Sequence, residues 1–237
     1  MPVGHQDGLL GSPSLTDNSC SSTHFPPTGT LVAPKKTFHA TERDREDVIQ
    51  ARQAHAIEFR SVDAARVVFL DEAGSNTAMA REYGRAPSGQ RVHGDKPYNH
   101  GDNVSMVGAL GFTGLRTLMT MSGAIDGTAF VAFVRCFLAP QLRRGDIMVM
   151  DNLSVHKVAG VREAIETVGA TLYYLPAYSP DLNPIERCWS KIKALLRSAA
   201  ARTREALEEA IAQAMAAVTA ADAAAWFAHA GYFYQPA

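Results

Sequence analysis

The pattern of apolar and polar positions changes character several times along the chain. Residues 1–34 are dominated by Gly, Ser, Thr and Pro, include Phe25-Pro26-Pro27, and show neither a helical nor an alternating period. Such a stretch buries too little apolar area to offset the entropy of ordering it, so residues 1–40 are expected to form a disordered N-terminal segment. From Thr41 the pattern becomes helical. Thr41-Glu42-Arg43-Asp44 fits a capping box, and Val48, Ala51, Ala54 and Ile57 recur at helical spacing, which predicts a linker helix within 41–65.

Residues 66–200 alternate between strand and helix periods. Arg66 to Leu70 is a short β-rich run, and Asn103–Leu110 and Leu115–Met121 are two more, joined by the turn Gly111-Phe112-Thr113-Gly114. Thr128–Leu142 then carries Phe130, Phe133, Val134, Phe137 and Leu138 on a helical stripe. Ile147–Met150 is a buried-type strand, Val155–Val168 a helix, Leu172–Leu175 a fifth strand, and another helix starts at Asn183. The order β-β-β-α-β-α-β-α implies an α/β fold, a mixed five-stranded sheet flanked by helices, because parallel neighbours need crossover connections. Residues 201–237 form a C-terminal helical extension: Leu207, Ile211, Met215 and Val218 share a face, and the aromatic end Trp226, Phe227, Tyr232, Phe233, Tyr234 is expected to dock on it.

Composition narrows the functional classes. With 237 residues, 46% of them hydrophobic, the chain can build one sizeable core. Lys and Arg (23) balance Asp and Glu (24), so any nucleic-acid contact must be local rather than a global basic field. Cys20, Cys136 and Cys188 lie far apart with no C-x-x-C pair, which excludes a disulfide framework and a zinc knuckle and fits a reducing cytoplasm. No secretory signal or membrane span is expected, since charged or amide residues interrupt every long apolar stretch.

Two carboxylates sit where apolar strands stop: Asp71 after Val67–Leu70 and Asp151 after Ile147–Met150. A carboxylate at such an edge is costly unless hydrogen-bonded or bound to a cation, although Asp also commonly begins turns. Glu186 is the third candidate. Asn183 can serve as N-cap with Pro184 at the first helical position, so capping alone would account for Glu186. Yet Glu186, Ser190, Lys193 and Arg197 line one polar stripe beside the apolar stripe of Ile185, Cys188, Trp189, Ile192 and Leu196. Carboxylates beside cations that hold phosphates suit phosphodiester chemistry with paired divalent ions, and oxygen-only ligands favour Mg²⁺ or Mn²⁺.

Four ordered strings then coincide: Leu70-Asp71-Glu72-Ala73-Gly74, Tyr83 to Arg91, Asp151-Asn152-Leu153-Ser154-Val155-His156-Lys157, and Leu175 to Glu186 with its Tyr-Ser-Pro-Asp-Leu-Asn-Pro-Ile-Glu core. Together they resemble the signatures of the mariner-like insertion-sequence 630 transposases of the DDE superfamily, including the 34 residues between Asp151 and Glu186. The resemblance implies a ribonuclease H-like fold with Asp71, Asp151 and Glu186 as catalytic and metal ligands of two Mg²⁺ or Mn²⁺ ions. It further implies cleavage at the terminal inverted repeats of a transposon, strand transfer of the 3′-hydroxyl into target DNA at TA sites, and action as a homodimer. Relatives carry an N-terminal helix-turn-helix, a pattern residues 1–40 lack. Sequence-specific DNA recognition is therefore expected from a separate helix-turn-helix subunit or reading frame. Two alternatives stay open: a hydrolytic ribonuclease H-like nuclease, and an inactive or truncated transposase-derived binding protein.

Among the remaining residues, Asn152 and His156 are assigned supporting roles near Asp151, and Lys191, Lys193 and Arg197 DNA contacts, with Arg202 and Arg204 nearby. Glu72 alternates to the strand face opposite Asp71 and reads as structural. Asp181 is the substitute third carboxylate should Glu186 only cap. His93 and His100 fit no usual zinc spacing and read as loop residues.

Overall fold

The computed structural model describes residues 40–235, so the expectation for the N-terminal segment lies, apart from Ala40, outside the described residues. Its centre is a five-stranded sheet in the order β3-β2-β1-β4-β5, built from β1 (Val67–Asn76), β2 (Asn103–Gly111), β3 (Gly114–Ser122), β4 (Ile147–Met150) and β5 (Thr171–Tyr174). β2 runs antiparallel to β1 and β3, whereas β4 is parallel to β1 and β5. The β2–β3 hairpin turns where expected. Gly114 takes φ +126°, a conformation open to glycine and closed to bulkier residues.

Both faces of the sheet are covered, and the period of two in β1 sorts its side chains between them. Val67 and Phe69 pack with Phe59 of α1 (Glu46–Phe59) and with Ile185, Trp189 and Ile192 of α4 (Ile185–Ala199). Val68 and Leu70 face the other way, onto Phe130 and Phe133 of α2 (Gly127–Phe133) and Val161 and Ile165 of α3 (Val161–Thr167). The C-terminal helices α5 (Arg204–Ala216) and α6 (Ala220–His229) bring Leu207, Ile211 and Phe227 into the same core as Phe69. Among the described residues no single helix is long and apolar enough to cross a membrane; α5 and α6, bent by 76°, bury their apolar faces on the sheet side instead.

Several expectations are corrected. β1 does not end at Leu70. Its pairing with β4 stops at Leu70 and Met150, but pairing with β2 continues to Asn76, so Asp71 sits within a strand at the point where its parallel neighbour leaves. The capping box at Thr41 does not form: Thr41–Asp44 is a 3-10 turn and α1 starts at Glu46, neither with a side-chain cap. α1 buries Val48, His55 and Phe59, while Ile57 is 75% exposed. The helix expected over 128–142 widens into a π-turn at Val134–Leu138 and ends in a 3-10 turn containing Pro140; the extra residue shifts the helical phase, leaving Phe137 half exposed. The one expected at 155–168 splits into a 3-10 turn, Ser154–Lys157, and α3, because Gly160 enters the left-handed region at φ +94°.

Candidate active site

The carboxyl ends of the parallel strands β1 and β4 open into a cleft, the usual place for ligands in a sheet of this kind. It is about 420 Å³ and is lined by Asp151, Asn152, Tyr178, Asn183 and Glu186, among others. Asp71 lies behind Asn183, buried at 9% exposure. Its Oδ1 accepts the Glu72 backbone N–H at 2.8 Å and its Oδ2 the Asn183 side-chain amide at 3.4 Å. Asp151 directly follows β4, where its Oδ1 accepts the Leu153 N–H at 3.2 Å in a turn that Asp favours. Glu186 stands in the first turn of α4 with its N–H donated to the Asn183 carbonyl at 3.2 Å.

His156 joins the two faces of the sheet at this edge. Its ring is buried and stacked on Phe130 with centroids 4.8 Å apart. Nδ1 lies 2.5 Å from Asp151 Oδ1, and Nε2 lies 3.5 Å from Glu72 Oε1. These are ion-pair contacts with the ring N–H bonds off the line to the oxygens rather than aligned hydrogen bonds. Burial disfavours the charged ring, but the carboxylates of Asp151 and then Glu72 outweigh it and raise the pKa to about 9.

The acidic groups feel one another. Burial pushes the Asp71 carboxyl up to about 7; the Glu72 N–H opposes the shift, the charges of Glu186 and Asp151 add to it, and His156 counters them. Glu186 is also raised, by desolvation in the cleft and by Asp151, with Lys193 pulling the other way. Among the described residues no three acidic, His or Cys side chains stand close enough to grip a single ion.

The other singled-out residues divide clearly. Lys193 and Arg197 line an adjoining groove of about 240 Å³ with Lys96 and His100. Lys191 instead pairs with Asp222 of α6 at 2.6 Å. Arg202 donates to the backbone carbonyls of Thr77 and Met79, and Arg204 pairs with Glu208, so both are engaged within the fold. Asp181 is held by Arg43 and Arg52, away from a substitute ligand role. His93 belongs to the exposed stretch 81–100. Two residues of the site escaped the spacing rules. Asn183 makes no side-chain cap for α4; its amide turns to Asp71. Glu72 does lie on the face opposite Asp71, yet it reaches His156 there.

No curated protein matches the sequence. Among solved structures, the Mos1 transposase paired-end complex with the left transposon end superposes with a TM-score of 0.65 at 17% identity, covering 87% of this chain and 68% of that one. The Mos1 strand transfer complex gives 0.65 at 17% identity over 85% of this chain and 63% of that one. The catalytic domain of Mos1 mariner transposase gives 0.57 at 15% identity, over 85% of this chain and all (100%) of that domain. At such identities the likeness shows the fold, which is ribonuclease H-like. Residues 66–208, which carry all three acidic residues, match the family of DDE superfamily endonucleases, and the chain belongs to it.

Proposed function

We propose that this chain is the catalytic part of a mariner-like transposase of the insertion-sequence 630 type. In this reading it cuts DNA at the terminal inverted repeats of a transposon and transfers the freed 3′-hydroxyl into target DNA at TA sites. The observation that carries it is where three carboxylates of the matched family segment stand. Asp151 and Glu186 line one strand-end cleft, and Asp71 on β1 is joined to it by the amide of Asn183, which lines the same cleft.

Asp71, Asp151 and Glu186 would hold two Mg²⁺ or Mn²⁺ ions. The donors are hard oxygens, and both hydrogen-bond donors to Asp71 are neutral, so its ionised form calls for a cation. When bound, such ions activate an attacking oxygen and stabilise the leaving one. The protein's own groups then have separate tasks. Asn183 orients Asp71, His156 fixes Asp151, Asn152 faces the cleft, and Lys193 and Arg197 contact phosphates along the groove beside Glu186. The partners in this reading are transposon-end and target DNA, a second copy of the chain, and a helix-turn-helix subunit or reading frame that reads the ends, all in the cytoplasm.

The test is metal-dependent cutting of supercoiled DNA by parent and Asp151→Asn. The parent nicks it with Mg²⁺ or Mn²⁺ and the variant, folded by circular dichroism, does not. Pre-cleaved ends supplied with a TA-containing target yield joined product for a transposase and none for a hydrolytic nuclease. Equal cutting by the two proteins sinks the assignment.

A further inference from the structure

The connection from β5 to α4 presents both Asn183 and Glu186, and its backbone is under strain. Tyr178 holds φ +56° although it is neither glycine nor asparagine, and its side chain is 45% exposed, so its own packing does not secure it. A bulky residue in that region is disfavoured and persists only where the surroundings over-determine it. The restraint comes just downstream, where three consecutive residues are tied to three different parts of the fold.

Asp181 is gripped on both oxygens by Arg52 of α1, at 3.0 Å and 2.7 Å, and Arg43 adds a bond of 3.1 Å to Oδ2. The partners are 129 residues apart along the chain. Burial disfavours the Asp181 anion, yet Arg52 and then Arg43 keep its carboxyl below the usual range. The Leu182 carbonyl accepts the hydroxyl of Tyr232 at 2.8 Å, and that hydroxyl lies 2.8 Å from Nε2 of His55, again on α1. Tyr232 has one proton and donates it to Leu182, so His55 is the neutral tautomer that carries its proton on Nε2 and donates it to the Tyr232 oxygen. Asn183 closes the series with its amide on Asp71. Two of these three ties run to α1, either directly or through one hydroxyl. The loop's local turns, Leu182 N–H to Ser179 and Asn183 N–H to Pro180, do not reach the sheet at all.

We propose that α1 is a working part of the active site, with Arg52 and Asp181 as positioning residues. Their two-pronged ion pair holds the strained loop so that Asn183 meets Asp71 and the first turn of α4 delivers Glu186 to the cleft. A planar guanidinium fixes direction as well as distance, a constraint that a lysine at the same place would not supply. This inference rests on the reading of Asp71 and Glu186 as catalytic, and its test separates the two.

Arg52→Ala, Asp181→Ala, the double variant, Arg52→Lys and the swap Arg52→Asp with Asp181→Arg are compared by two measurements. The first is amide hydrogen exchange, resolved by peptide, over residues 179–187 and over β1–β3. The second is Mn²⁺-supported DNA cleavage, separated into kcat and KM. Either alanine variant is expected to speed exchange in 179–187 about tenfold, the loss of one charged two-pronged hydrogen-bonded pair, with β1–β3 unchanged. kcat falls with KM for DNA unchanged, the double variant is no worse than Asp181→Ala, which by itself also loses the bond from Arg43, Arg52→Lys stays defective, and the swap recovers part of both readouts. Unchanged exchange over 179–187 in folded Arg52→Ala overturns the proposal, as do independent effects that simply add in the double variant. Should the exchange results hold while parent and Asp151→Asn cut DNA alike, the transposase reading fails and the role of Arg52 in holding the loop stands.

Discussion

Replacing Asp71 by Asn is expected to make the metal-free protein more stable. The carboxylate is buried, receives only the Glu72 N–H and the Asn183 amide, and faces the charges of Glu186 and Asp151, which together with burial carry its pKa from 3.8 to about 7. Between those two values the native protein keeps a proton that the unfolded chain has released. Stability is therefore greatest below the lower value and is lost as pH rises through the upper one. At pH 8 the difference corresponds to about 4 kcal/mol against folding. An asparagine has no charge to desolvate. Its oxygen keeps the Glu72 N–H, and Asn183, whose buried Oδ1 has no partner, can turn its amide to accept from the new NH₂ group. Urea unfolding in EDTA should place the variant about 2–4 kcal/mol above the parent at pH 8, with the gap closing towards pH 4. Added Mg²⁺ should raise the midpoint of the parent and not that of the variant, because ions that bind only the folded state stabilise it. A variant equal to or weaker than the parent at pH 8 in EDTA would refute the picture of a charge held at a cost for the sake of catalysis.

His55 contributes the opposite slope. Burial, with Arg52 nearby, lowers its pKa from 6.5 to about 4, so the unfolded chain binds a proton through that window and the native one does not. Stability then drops by about 3 kcal/mol on acidification across it. In the parent this offsets the Asp71 effect, in Asp71→Asn the acid loss is laid bare, and adding His55→Phe should flatten the profile of urea midpoint against pH. Gly108 sits opposite Asp71 on β2, and a Cβ there would meet Cη2 of Trp189 at 2.9 Å. Gly108→Ala should cost about 1–3 kcal/mol and alter tryptophan emission in the same unfolding assay, whereas an unchanged midpoint would contradict that close packing. On DNA, Lys193→Ala and Arg197→Ala should each flatten the slope of log K against log salt by about one, as expected for lost phosphate contacts. Lys191→Ala, which breaks the pair with Asp222, should leave that slope unchanged and cost under about 1 kcal/mol of stability.

What could be read along the chain was whatever depends on local period or on short strings. The alternation of Val67, Val68, Phe69 and Leu70 marks a strand covered on both faces, and the structure divides those residues between two cores. The strings around Asp71, Asp151 and Glu186 likewise mark three side chains that end up around one cleft. The failures have a common physical source, in that a residue with a satisfactory local explanation can find a better partner far away. Asn183 before Pro184 looks like a cap, but its amide is drawn to a buried carboxylate 112 positions earlier. The helical spacing gives α1 an apolar stripe ending in Ile57, yet the face it buries includes His55, because a ring hydrogen-bonded to Tyr232 and stacked 4.4 Å from Phe59 can be buried without an unmet charge. Nothing in the run of charges before residue 61 separates Arg52 from Arg45, which pairs two residues away with exposed Asp47. Only the packing of α1 beside the β5–α4 loop makes one arginine a surface ion pair and the other a brace for the site. For that reason the acidic residues could be found from their spacing, whereas the parts that hold them in place could be found only in the folded chain.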